Sequence, residues 1–356
     1  MSNCSCRQPC NCHKKNCNST VIPNTGKCEN VIFNWVFADH TLEETLENFT
    51  NSLGPLVFPT DGTTSLDNAG LLVDAPIFTS TLPVGNEHVK NLRYYRNSFA
   101  LSDSYETLYE TLIAVQQHIP IESLPAPFAG RIRNIDEDIR LCSGAMNTLD
   151  IETFTVMDIF LSNDKIFCFV ERLPFGKTVE NNYAAYSAGI AVAGRGGDPL
   201  NDFVKLGIGM SKSSAKFYVN GELVFTVPRY GVRQLDEYRM LDHQGEAEAL
   251  QLKSSFFGFG LFTLLDMQLP YDYARQLVVN DFSTNQAASG LVQLDLAANY
   301  GETLPGLLDG DDRPIVDPTV TWAVQLGQFP NDNHDIKLFG QGATLRIKYF
   351  KVTVRC

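Results

Sequence analysis

With 356 residues, 44% of them apolar and only 19% charged, the chain has the length for one large β domain or two smaller ones, and most of it should fold. A formal net charge of −13 repels phosphate backbones and argues against a nucleic-acid partner. No apolar run approaches the ~18 residues of a membrane helix, so no membrane span is expected.

The N-terminus lacks the apolar segment of a Sec signal peptide. Six of the nine cysteines nevertheless lie in the first 28 residues: Cys4, Cys6, Cys10, Cys12, Cys17 and Cys28. Residues 1–30 carry almost no other apolar side chains and cannot bury a core, which divides the chain into a Cys-rich arm (1–30) and a single β-sandwich domain (31–356). A flexible cysteine-dense arm suits intermolecular disulfide cross-linking, in which the terminal Cys356 can join. Cys4, Cys6, Cys10, Cys12 and His13 also offer metal ligands, but the spacing C-x-C-x3-C-x-C lacks the C-x2-C knuckles of structural zinc sites. A tail with incidental thiols is the third reading.

After the arm, Val31–Ala38 predicts a strand. Thr41–Phe49 predicts a short helical turn, with Thr41 as N-cap and Glu44 at the capping-box position. Gly70–Asp74 and Ala75–Thr79 read as one strand interrupted at Pro76, which has no N–H to give a ladder. Tyr105–Gln117 fits both helical and strand periodicity, and its β neighbours favour strand. Ile135–Arg140 is an acidic loop, either a solvated turn or a set of Ca²⁺ ligands.

Leu149–Phe175 predicts the central hairpin. Asn163-Asp164 separates two runs rich in β-branched and aromatic residues. With those two residues as the turn, Ser162 pairs with Lys165, Asp158 faces Phe169 and Val156 faces Glu171. Asp158 and Glu171 are then diagonal neighbours, roughly 7–8 Å apart, on a face with Phe154, Phe160, Phe167 and Phe169. Asp150 and Glu152 extend the acidic series along the same face.

Further on, Tyr183–Ala193 is a small-residue strand, and the following Gly-rich turn is not a nucleotide-binding loop. Asp202–Met210 and Lys216–Val227 are strands. Asn220-Gly221 is the strongest hairpin turn in the chain, because a type I′ turn needs positive φ at both positions. Ser255–Leu265 is a buried strand whose Gly258 and Gly260 permit close packing. Asp309, Asp311 and Asp312 lie in a long loop and are candidate Ca²⁺ ligands, although the EF-hand spacing is missing. Ala343–Val354 alternates cleanly and closes the sheet. Cys168 alternates into a strand as a core residue. His243, next to Asp242, reads as a loop histidine in a hydrogen-bond network.

Three resemblances follow from these residues. The CxC-rich arm resembles those of proteins on the outer layers of bacterial endospores and of spore appendage subunits. These are deposited without Sec export and oxidised after mother-cell lysis. The pattern from Lys205 to Arg229, with its aromatic-Tyr-Val-Asn-Gly turn, resembles the concanavalin-A-like lectin/glucanase superfamily. That resemblance implies an all-β jelly-roll sandwich whose last strand returns beside the first. Segments 150–176 and 183–186, Leu241-Asp242-His243, and segments 258–266 and 340–343 resemble an uncharacterised bacterial family common in actinomycetes, over roughly Asn48 to Val354 and without an established activity.

The E-x-D-x-(x)-E motif of the superfamily's retaining glucanases is absent. Asp158 and Glu171 across the hairpin, with Glu152 further along, are the candidate catalytic acids. Two functions are expected. The first is a structural or binding protein of a spore or cell surface, assembled with itself or with other surface proteins through the arm. The alternative binds or cleaves a glycan on the acidic and aromatic concave face. A capsid-like or appendage jelly roll has the same architecture. No cofactor is required in either case, and Ca²⁺ is a candidate ion.

Overall fold

The computed structural model describes residues 28–54, 56–80, 89–120, 135–139, 141–172, 186–227, 229–230, 238–241, 247–264 and 340–356. In chain order the elements begin with β1 (Glu29–Val36), helix α1 (Leu42–Asn48), and the short β2 (Phe49–Thr50), β3 (Ser52–Leu53) and β4 (Leu56–Val57). Then come β5 (Thr63–Asp67), β6 (Gly70–Ala75), β7 (Val89–Tyr95), β8 (Phe99–Ala100) and β9 (Glu106–His118). The centre of the chain holds β10 (Ser143–Asp150), β11 (Thr155–Leu161), β12 (Lys165–Arg172), β13 (Tyr186–Gly194), β14 (Val204–Met210), β15 (Ala215–Val219) and β16 (Glu222–Val227). Last are β17 (Arg229–Tyr230), β18 (Tyr238–Leu241), β19 (Glu248–Ala249), β20 (Ser254–Phe262) and β21 (Gly342–Arg355).

The strands form two large sheets. One has eight strands in the order β16-β15-β14-β9-β21-β6-β5, with β1 also paired to β21. The other has nine strands in the order β18-β13-β12-β11-β10-β20-β7-β2, with β8 on β20. The inner faces meet in one apolar layer. Tyr109, Ile113, Val115, Leu345 and Ile347 of the first sheet lie against Met146, Met157, Ile159, Cys168 and Phe257 of the second. A side chain at Gly144 would strike Val115 and Leu345 across the gap. This is the all-β, two-sheet sandwich expected from the sequence.

Local chemistry explains the elements. The Thr41 hydroxyl accepts from the Glu44 N–H while the Glu44 carboxylate accepts from the Thr41 N–H, so the capping box starts α1 where its residues predict. Asn220 and Gly221 have φ values of 53° and 86°, the signature of the type I′ turn between β15 and β16. Residues 106–118 form a strand, because pairing with β14 on one side and β21 on the other outweighs a helical pattern. β6 ends at Ala75, one residue before Pro76. β1 lies antiparallel to β21, first strand beside last.

β21 runs through the middle of its sheet, with β9 on one side and β6 and β1 on the other. One expectation needs correction. Cys28 and Cys356 are bonded to each other within the chain, so these two do not serve as cross-links between chains. The Cys28 carbonyl also accepts from the Cys356 N–H, so the bridge extends the β1–β21 ladder by one register position. Cys4, Cys6, Cys10, Cys12, Cys17 and His13 lie outside the described residues.

The acidic loop at 135–140 is a clamp on the central hairpin. The Asp136 carboxylate accepts from the Asn163 side chain at 2.7 Å, its carbonyl accepts from the Asp164 N–H, and Glu137 pairs with Lys165. Among the described residues, no group of three or more His, Cys, Asp or Glu is placed to hold a metal ion. Asp309, Asp311, Asp312 and His243 lie outside the described residues. No helix among the described residues is long and apolar enough to cross a membrane.

Candidate functional site

The site is on the outer face of the nine-stranded sheet, where β10, β11 and β12 run side by side. Asn163-Asp164 forms the turn between β11 and β12, and the register is the predicted one: Asp158 opposite Phe169, and Val156 opposite Glu171. The Ser162 N–H donates to the Lys165 carbonyl, which fixes that register at the turn. Alternation then sends Val156, Asp158 and Phe160 outward and Met157 and Ile159 into the sandwich.

One lateral row crosses five strand pairings of this face. It reads Tyr94, Gly258, Asn147, Asp158, Phe169, Gly189, each opposite the next. Phe160 packs edge-on against both Phe169 and Phe262, with ring centroids 5.1 and 5.3 Å apart. Gly189 has no side chain because the Phe169 ring occupies its place. A Cβ at Gly258 would collide with the Arg93 carbonyl, so the close packing expected there is real and brings β20 against β7.

Asp158 and Glu171 are 2% and 7% exposed, a buried carboxyl pair. Burial pushes the Asp158 carboxyl well above the usual range, because a low-dielectric setting penalises its charged form. The charge of Glu171 and the hydrogen bond between the two carboxyls push it further, and a bond from Asn147 works in the opposite direction. These effects favour the protonated form of Asp158, which can donate to Glu171. Burial also raises the Tyr94 phenol, and the charges of Asp158 and Glu171 add to it, so this hydroxyl stays protonated beside them.

Asn147 is the third polar member. It is 2% exposed, and its Nδ2 donates to Asp158 Oδ1 at 2.6 Å. Its Oδ1 has no hydrogen-bond partner. An unpaired buried acceptor costs about 1–3 kcal/mol, which a fold tolerates where another gain compensates.

Glu152 does not join this group. The stretch 149–161 is not one strand: β10 ends at Asp150, residues 151–154 turn, and β11 begins at Thr155. Asp150 starts the turn by accepting from the N–H groups of Glu152 and Thr153 at 3.0 and 3.3 Å. Its other oxygen accepts from the Lys253 N–H at 2.7 Å, and it shares the inward face with Met146 and Thr148. Glu152 is half-exposed and pairs with Lys253 at 3.3 Å. Phe154 sits in the turn at φ 55° and is not part of the aromatic strand face. The face is also closed to solvent at the pair, not an open concave surface.

Asn147 and Tyr94 are absent from the sequence-derived set. Asn147 belongs to β10, which the hairpin reading stops short of. The signal for it is Asp150, a turn-forming residue between two apolar runs. Tyr94 is more than fifty residues away in sequence, and only the β20–β7 pairing brings it into the row.

A family model described as a family of unknown function matches residues 57–356. The chain belongs to this family, DUF6081. The match leaves out residues 1–56, and so excludes the cysteine arm as expected. An uncharacterized protein of Acanthamoeba polyphaga mimivirus is 38% identical over 405 aligned positions, covering 97% of this chain and 92% of that one. This relative of the DUF6081 chain is viral, and nothing in the comparisons carries the bacterial or spore-surface part of the resemblance. Among solved structures, the kappa-carrageenase from Pseudoalteromonas carrageenovora is similar at a TM-score of 0.39 and 9% identity, over 95% of this chain and 100% of that one. The endo-beta-1,3(4)-glucanase SCLam is similar at a TM-score of 0.40 and 7% identity, over 94% and 93%.

Proposed function

We propose that the protein binds a saccharide on the outer face of the nine-stranded sheet, with Asp158 and Glu171 as its polar centre. The observation that carries the reading is the hydrogen-bonded carboxyl pair, set in a face of Phe160, Phe169 and Tyr94 with an amide beside it. Sugars present C–H faces and hydroxyls together. Aromatic rings match the first, and groups that both donate and accept match the second. A carboxyl that holds its proton does both.

Binding is a better reading than cleavage. The carboxyls of a retaining glycosidase stand about 5–5.5 Å apart and those of an inverting enzyme further, leaving room for the anomeric carbon or a water. Here the two carboxyls hydrogen-bond to each other. Glu152 supplies no third acid, since it lies on the turn with Lys253. A saccharide reaches the pair only when the closed face opens, so binding should be slow relative to diffusion.

The test is a glycan array probed with wild-type protein and with Asp158→Asn and Glu171→Gln. Either variant should weaken binding to the glycans retained by wild type by tenfold or more while leaving a cooperative thermal transition. Undiminished binding by both variants overturns the reading, as does a wild-type protein that retains no glycan.

A further inference from the structure

Within the saccharide-binding reading, on which this inference rests, we propose that Asn147 is a specificity-determining residue that recognises two neighbouring hydroxyls of the sugar together with the carboxyl pair. Its Oδ1 accepts from one hydroxyl while the Asp158–Glu171 pair hydrogen-bonds the next.

Three observations carry this. Asn147 lies between Gly258 and Asp158 in the lateral row, so one flank is bare backbone and the other is the carboxyl. The side chain is buried, and one end of its amide is tied at 2.6 Å to Asp158 Oδ1, which fixes where the other end points. That other end has no partner. Rotating the amide by half a turn exchanges its oxygen and nitrogen but leaves one end unpaired in either orientation. A site that offers an amide acceptor and a carboxyl pair on adjacent strands matches a ligand whose donors are spaced like those of a vicinal diol. Aromatic neighbours on both sides, Tyr94 along the row and Phe160 on the strand of Asp158, suit a ring with apolar faces. The buried amide of Gln117, by contrast, is satisfied at both ends: its Nε2 donates to the Asp138 and Cys142 carbonyls and its Oε1 accepts from the Asn163 N–H.

The experiment uses the full chain and calorimetric titration with a panel of soluble gluco-, galacto- and manno-hexasaccharides. For each hexasaccharide that binds, its analogues lacking one hydroxyl are titrated too. Wild type should lose tenfold or more in affinity for one mono-deoxy analogue. Asn147→Leu should lose a similar factor for the parent sugar and discriminate less than twofold between parent and that analogue. Asn147→Ser, smaller and still polar, should recover part of the discrimination and serves if the leucine variant does not fold. Discrimination at wild-type level in a folded Asn147 variant overturns the inference even if overall affinity falls. If Asn147 variants bind within twofold of wild type while Asp158→Asn does not bind, Asn147 has no such role and the saccharide site stands. If wild type binds no hexasaccharide, both fail.

Discussion

The ring of Phe169 lies across Gly189, so a Cβ placed on that glycine would fall 2.5 Å from two ring carbons. The ring cannot retreat freely, because Phe160 packs edge-on against it with centroids 5.1 Å apart. Gly189→Ala should therefore destabilise the protein by about 1–3 kcal/mol, the usual cost of overpacking. It should also weaken saccharide binding, since Phe169 stands directly opposite Asp158. Urea unfolding and the glycan array measure the two effects. An alanine variant as stable as wild type would contradict the packing.

Asp158 gives the protein a pH signature. Its carboxyl is held above the unfolded value, first by burial and then by Glu171. Below the unfolded pKa of about 4 both states are neutral and its stabilising effect is complete. As pH rises, the unfolded chain ionises first, and the effect is lost until the folded pKa is passed. Asp158→Asn removes this dependence. Its stability relative to wild type should climb with pH above about 4, by at most about 1.4 kcal/mol per unit. Thermal melts of both proteins from pH 4 to 8 test the sign. A constant difference would show that Asp158 is not held neutral.

Cys28 and Cys356 close nearly the whole domain into one covalent loop, with a sequence separation of 328 residues. Replacing both by serine should cost about 2–5 kcal/mol. Non-reducing peptide mapping should find this bridge within single chains. Recovering it between chains would contradict the structure. Any thiol-sensitive oligomers that persist in the double variant would then belong to Cys4, Cys6, Cys10, Cys12 or Cys17.

Cys142 and Cys168 are free thiols, buried in the inter-sheet layer. Burial raises both well above the ordinary thiol range, so almost no thiolate forms near neutral pH. Neither should take up an alkylating reagent during a time that labels the unfolded chain completely. Mass spectrometry of native and denatured samples decides, and labelling of native Cys168 would contradict the core assignment.

Much of this was legible in the sequence. Asn163-Asp164 and Asn220-Gly221 mark turns whose backbone chemistry is local, and the face of Asp158 and Glu171 follows from a period of two. The Thr41–Glu44 box is local as well. What resisted reading was non-local. Asp150, Glu152 and Asp158 look like one strand face by spacing alone, but Asp150 captures the next N–H groups and turns the chain. Asn147 and Tyr94 reach Asp158 through strand pairings that no short window contains. Burial of the pair is likewise a property of the assembled sheet. Cys356 resembled a free terminal thiol because only the β1–β21 ladder brings it beside Cys28.

The position of β21 sets an order of events during synthesis. Until residues 342–355 leave the ribosome, the eight-stranded sheet exists only as pieces: β1 alone, β5 with β6, and β9 with β14, β15 and β16. All nine strands of the other sheet lie between residues 49 and 262, so it can assemble earlier, with its inner face not fully covered. A nascent chain in this condition lacks the strand that joins those pieces, and partly covered apolar surface of this kind is prone to aggregation. Premature termination anywhere before Gly342 would leave it there permanently, so shortened products should accumulate as aggregates instead of as smaller folded domains.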